Sequence, residues 1–189
     1  FERLVALARD ADPSVQRAAL DALARDNSPR AAEALFELDG VAPREVLVEV
    51  MSTMTDPAGA RYLHQLAPGA TIITGQALDD DRTPLNAAQV QILEERHLSG
   101  DDTWHWQAVS PRADTDAEGG FTVALPGWSG DSRLRIKLVI PARRADLSAE
   151  THVAALPLEC GATNRVRVHI ARFFDRLAVD VEPIGTPPA

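Results

Sequence analysis

The sequence predicts an α+β chain in two domains. Residues 1–68 read as helical, residues 69–183 as an all-β sandwich, and residues 184–189 as a flexible, extended tail. Three observations carry this reading. At Pro68-Gly69 the spacing of apolar residues changes from about 3.6 to 2, the periods of helix and strand. Upstream, shifting the chain by 28 residues lays Pro29 on Pro57, Ala32 on Ala60, Leu35 on Leu63 and Leu38 on Leu66. Downstream, Asp114-Thr115-Asp116-Ala117-Glu118-Gly119-Gly120 separates two strand-like runs. Gly there accepts positive φ, and Asp bonds its own backbone.

In chain order, Asp12-Pro13 offers an acidic N-cap with proline at the first helical position. Val15, Ala19, Ala22 and Leu23 then form one apolar stripe. Asn27-Ser28-Pro29 restarts a helix that turns Ala31, Ala34, Leu35 and Leu38 inward, and Asp39-Gly40 ends it. The 28-residue shift also superposes Leu20 on Val48 and Leu23 on Met51, so helix pairs are expected.

The β half opens with a strand over 71–78 and an acidic turn, Asp79-Asp80-Asp81-Arg82. Ala88, Val90 and Ile92 point inward on the second strand, and Trp104 to Val109 makes a third. Phe121, Val123 and Leu125 face the core on the fourth, and Leu134, Ile136, Leu138 and Ile140 on the fifth. A looser segment at 151–158 precedes Val166, Val168 and Ile170, and Leu177, Val179 and Val181 close the domain. Seven or eight short strands divided by turn residues suit a sandwich.

These residues carry two resemblances. Gly75-Gln76-Ala77, then Pro84-Leu85-Asn86-Ala87-Ala88-Gln89-Val90, then Thr115-Asp116-Ala117-Glu118-Gly119-Gly120-Phe121 resemble the carboxypeptidase regulatory-like (transthyretin-like) module. That resemblance implies a transthyretin/Ig-like sandwich that mediates contacts and carries no peptidase residues. The segment from Asp12 to Leu23 is similar to HEAT-like repeats, although Gln16 stands where that family often has Arg. It implies an array of stacked helix pairs. Because Phe1 falls inside a helical pattern, a leader, an anchor or earlier repeats are expected upstream.

Composition excludes some functions. A net charge of −9 opposes general nucleic-acid binding, which needs a basic surface. No apolar run reaches the ~20 residues that span a bilayer, so no membrane insertion by this segment is expected. The single Cys160 rules out an internal disulfide. Lys137 is the one lysine among 19 basic residues, which suggests a GC-rich bacterial source.

The motifs of catalysis are missing. No G-x-S-x-G elbow, P-loop or H-E-x-x-H helix occurs, and Ser129 within Gly127-Trp128-Ser129-Gly130 lacks the elbow's context. Asp114, Asp116 and Glu118 open like a calcium loop, but Leu125 takes the position that needs a carboxylate. Asp79, Asp80 and Asp81, with Asp101 and Asp102, read as solvated turns. His64, His97, His105, His152 and His169 show no paired ligand spacing. No catalytic residue, metal or cofactor is expected.

Two surfaces remain. Arg133, Arg135 and Lys137 alternate with the apolar set of their strand, as Arg165, Arg167 and His169 do on theirs, and could dock an acidic partner. Trp104 and Trp106 share one strand face. Turned inward they would fill the core, the favoured reading because few other large residues are at hand. Turned outward they would make a sugar-stacking platform, with Trp128 as a third member. The expectation is a non-catalytic scaffold or accessory subunit. It would contact other protein subunits of a bacterial periplasmic or membrane-associated assembly, on the extracytoplasmic side. A carbohydrate-binding or adhesion module using Trp104 and Trp106 is the alternative.

Overall fold

The structure is a computed structural model and describes residues 1–97, 104–140, 150–173 and 176–184. Five helices come first: α1 (Glu2–Leu7), α2 (Pro13–Asp26), α3 (Pro29–Phe36), α4 (Arg44–Met51) and α5 (Pro57–Leu66). Three of them begin with a capping side chain followed by proline. Asp12 accepts from Ser14 N at 2.8 Å, Ser28 from Ala31 N at 3.2 Å, and Asp56 from Ala58 N at 2.8 Å. Asn27 ends α2 in the left-handed conformation, and its Oδ1 accepts from Thr55 N and Asp56 N at the start of α5. The side chain of Arg17 forks onto Glu49 at 2.9 and 3.0 Å, tying α2 to α4.

Among the described residues nine strands follow. They are β1 (Thr71–Leu78), β2 (Gln89–His97), β3 (Trp104–Ala108), β4 (Ala113–Asp114), β5 (Gly120–Leu125), β6 (Leu134–Ile140), β7 (Glu150–Ala155), β8 (Thr163–Phe173) and β9 (Arg176–Pro183). The first sheet has the order β5-β1-β8-β9, and the second β3-β2-β6-β7 with β4 also paired to β2. Pairing is antiparallel except between β1 and β8. Ile73, Phe121, Val123, Val166 and Val168 of the first sheet share one core with Val90, Ile92, Leu134, Ile136 and Leu138 of the second.

The expected architecture, a HEAT-like repeat domain followed by a separate all-β sandwich, is not what forms. The helices are short, at 6, 14, 8, 8 and 10 residues. Helices α2 and α4, which a repeat would make equivalent, differ by six residues because α4 starts only after Pro43 and stops at Met51. Nor do the helices stand apart. Their apolar cluster includes Ala124 of β5, and α5 contacts both β5 and β1. They form a small layer on the outer side of the first sheet. The 28-residue shift matched apolar positions without registering that helix length and stacking surface differ.

This layer explains a departure from strict alternation. Phe121, Val123 and Leu125 face the other sheet as predicted, yet Thr122 and Ala124 between them are buried too, at 3% and 4% exposure. Strand β4 was not foreseen. The segment read as looser contains β7 and then Leu156, which is buried. The inward placement read for Leu177 and Val179 lies outside the described side chains, and 185–189 lie outside the described residues. None of the described helices is long and apolar enough to cross a membrane.

The chain passes from the second sheet to the first between β4 and β5, through the turn that the sequence singled out. Asp116 Oδ1 accepts from Glu118 N at 3.0 Å and from Gly120 N at 2.6 Å. The hydroxyl of Thr115 accepts from Ala88 N at 2.9 Å and donates to the Leu85 carbonyl. Gly119 has φ +74°, and a Cβ there would sit 2.4 Å from the Ala77 carbonyl oxygen. Phe121 lies over Gly75, where a Cβ would come within 2.3 Å of its ring. The three motifs quoted above therefore meet in space.

Gly119→Val is expected to cost about 1–3 kcal/mol or more, from strained φ and steric overlap, and to lower the melting temperature by several degrees. A thermal melt matching the wild type would show that the turn tolerates a side chain.

Candidate recognition face

The outer face of the second sheet is built by alternation. Val90 and Ile92 of β2 point into the core, so Gln91, Leu93 and Glu95 point out. Register then fixes their neighbours. Glu95 lies opposite Trp106, His97 opposite Trp104, and Leu93 opposite both Ala108 of β3 and Arg135 of β6. Both tryptophans therefore share a face with Arg135. Trp104 is 62% exposed. The Arg135 guanidinium lies 4.1 Å from the centre of the Trp106 ring, a cation–π contact.

This overturns the expectation that the pair fills the core. Branched aliphatic side chains from both sheets occupy the interior, so the space needs no indole. Edge strand β3 carries its aromatics outside instead.

A groove of about 520 Å³ runs beside this face, lined by Trp106, Trp128, Glu95, Ser132, Arg133 and Arg135. Trp128 is held on three sides. Its Nε1 donates to Ser132 Oγ at 3.0 Å, its carbonyl accepts from Cys160 Sγ at 3.2 Å, and its ring packs against the inter-sheet core. The Ser132 hydroxyl in turn donates to the Glu94 carboxylate. Burial works to raise the Glu94 pKa, but hydrogen bonds from Ser132 and Arg96 outweigh it and hold the carboxyl below its usual range. Glu94 is thus a charged anchor under the groove. The sequence had offered Trp128 as a third platform member, but nothing in it announced the Trp128–Ser132–Glu94 chain, whose members are 38 positions apart at the extremes of its last bond.

The basic residues divide. Arg133 is well exposed and 3.8 Å from Glu95, Arg135 covers Trp106, and Lys137 is half-buried between Gln91 and Val153. Arg165 and Arg167 belong to β8, on the outer side of the first sheet, where Arg167 lies 3.9 Å from Glu182. They do not join the first three. His169 sits beside them with an enclosed Nε2 that has no hydrogen-bond partner.

The other candidates are accounted for locally. Asp79, Asp80 and Asp81 bring carboxylate oxygens within 4.8 Å of one another. One oxygen of Asp81 is already taken by the Thr83 amide at 3.0 Å and hydroxyl at 2.7 Å, which lower its pKa. Asp101 and Asp102 lie outside the described residues, as do the side chains of His97 and His152. Asp116 is consumed by its turn, and Asp114 pairs with Gln89 across β4 and β2. His105 is exposed on β3, and Ser129 Oγ bonds Asp131 at 3.0 Å.

No known protein family matches the chain, and no curated protein does. Solved structures give distant likenesses. Pneumolysin is 15% identical over 61% of this chain and 24% of its own, with a TM-score of 0.34. The (S)-allantoin synthase is 11% identical over 93% and 72%, with a TM-score of 0.37. A Bacteroides uniformis protein with a proposed role in cell adhesion is 10% identical over 60% and 50%, also at 0.37. The chain spans about a quarter of pneumolysin. At these scores the likenesses decide neither fold nor function.

Replacing both Trp104 and Trp106 by Ala is expected to leave the protein folded. The loss should stay below about 1.5 kcal/mol, from the cation–π contact and surface packing. A core tryptophan costs about 3–5 kcal/mol by itself. Denaturant melts of the double variant distinguish the two, and a loss in the core range would return the pair to the interior.

Proposed function

We propose that the chain is a non-catalytic recognition module, an accessory or adhesion part of an extracytoplasmic assembly, and that it binds carbohydrate on the outer face of its second sheet. The observation that carries this reading is the exposure of Trp104 on the same face as Trp106 and its stacked Arg135. An indole presents a flat apolar surface to the C–H face of a sugar ring, and neighbouring polar groups fix its hydroxyls. Glu95 and Arg133 are placed to do so beside the groove.

The sequence favours a protein scaffold over a sugar binder, and the outward tryptophans reverse that order. A scaffold docking an acidic protein through Arg133, Arg135 and Lys137 is the second reading. Its support is a local basic surface on a chain of net charge −9. The separation of Arg165 and Arg167 onto the other sheet shrinks the surface available to it. Kinship with carboxypeptidase regulatory-like modules stays part of the proposal. It is supported by the packing of Gly75 on Phe121 and by the bonds of Thr115 to Leu85 and Ala88. The non-catalytic part rests on the missing nucleophile, phosphate-loop and metal-helix motifs.

A glycan array probed with the wild-type chain is expected to show retention that the Trp104→Ala, Trp106→Ala variant loses while still folded. A blank array, together with a protein partner whose association slows on Arg133→Glu and Arg135→Glu, would replace this reading by the scaffold.

A further inference from the structure

The recognition face carries more positive charge than sugar stacking requires. Arg133, Arg135 and Lys137 stand on or beside its central strand, and among the described residues the carboxylate paired with one of them is Glu95, 3.8 Å from Arg133. Among the described residues neither Arg135 nor Lys137 makes an ion pair. The Arg135 guanidinium carbon lies 4.1 Å over the Trp106 ring, which holds the group at this face without satisfying its charge. Its N–H groups lie in the guanidinium plane, and that rigid fork matches a carboxylate bidentately. Trp128, in contrast, has already spent its N–H on Ser132 and offers the groove only its ring. Ser132 has spent its one O–H on Glu94 and one of its two acceptor positions on Trp128. The groove thus pairs two aromatic walls with two guanidiniums, with Glu95 beside them.

We infer that the ligand of this face is an acidic glycan, one whose sugars carry carboxylates. A uronic-acid ring would lie against Trp106 and Trp128, with its carboxylate on the in-plane edge of Arg135 and the next acidic group toward Arg133. This inference rests on the carbohydrate reading above and narrows it. Charge complementarity selects the occupant, because a neutral glycan would leave the Arg135 guanidinium without a counter-charge in the complex, while Arg133 has only the 3.8 Å contact with Glu95. An acidic peptide would leave the tryptophan faces unused.

The test is a set of binding titrations on the full chain with three probes: oligogalacturonate, a neutral cello-oligosaccharide and oligoglutamate. Oligogalacturonate is expected to bind at least about tenfold more tightly than either control, as a charge-assisted bidentate contact requires. Arg135→Gln and Arg133→Gln should each weaken it about tenfold or more, and Arg165→Gln, on the other sheet, should leave it unchanged. Added salt should weaken it further. Equal binding of the neutral oligosaccharide, with no effect of Arg135→Gln, would overturn the acidic specificity while leaving the carbohydrate reading intact. Binding of oligoglutamate as tight as that of oligogalacturonate would overturn both, since charge alone would then suffice. Binding of none of the three would also overturn the inference, and a blank glycan array beside it would remove the reading beneath.

Discussion

The arrangement of the whole β body depends on one crossing, the turn that carries the chain from β4 in the second sheet to β5 in the first. Thr115 sits there with its hydroxyl shared between the Ala88 amide and the Leu85 carbonyl, and it is buried at 4% exposure. Four residues on, Gly119 donates to its own turn and presses against the Ala77 carbonyl of β1. Both contacts lie inside the protein, where an unmade hydrogen bond costs about 1–3 kcal/mol. The crossing therefore fixes how far β5 slides along β1. Because side chains alternate with period 2, that register decides which residues meet the core and which meet solvent. A slip of one residue would exchange Phe121 for Thr122.

The second constraint is that only one sheet is covered on its outer side. The helical cluster takes in Ala124, and α5 lies against β1 and β5. Among the described residues no helix packs against β2, β3, β6 or β7, and Trp104, Arg133 and Arg135 are at a solvent-facing surface. Burying a large aromatic normally stabilises a fold by a few kcal/mol. Here β3 forgoes that gain at the sheet edge while Val90, Ile92, Ile136 and Leu138 fill the interior without it. The aromatic face is thus displayed at a cost in stability, with the charged Glu94 behind it.

Much of the fold was legible, for reasons that differ by element. Capping residues before proline marked two helix starts, at Asp12 and Ser28, which satisfy amides that the helix cannot; Asp56 does the same for α5. Alternation placed Val166, Val168 and Ile170 correctly, because period 2 with a clean apolar set admits one facing. The turn at Gly119 declared itself through residue types that tolerate positive φ. Long-range choices were not legible. The apolar match at an offset of 28 residues suggested a repeat array, whereas the helices stack on a sheet through Ala124, a small residue that looked like a solvent position. Trp104 and Trp106 were placed on one face but assigned to the wrong side. Alternation in β3 is aromatic against polar, and the side facing the core is set by partner strands far away in sequence. The groove was invisible for the same reason, since Trp128, Ser132 and Glu94 come together only when β2 and the segment before β6 are paired.

The account stands on the outward facing of the tryptophan pair, and tryptophan fluorescence measures that directly. A protein retaining Trp104 alone, with Trp106→Phe and Trp128→Phe, should be quenched readily by acrylamide, while far-ultraviolet dichroism stays native. The companion retaining Trp128 alone, half-buried against the inter-sheet core, should be quenched much less. If Trp104 is shielded as strongly as Trp128, the aromatic face is not a surface, and the recognition function built on it falls.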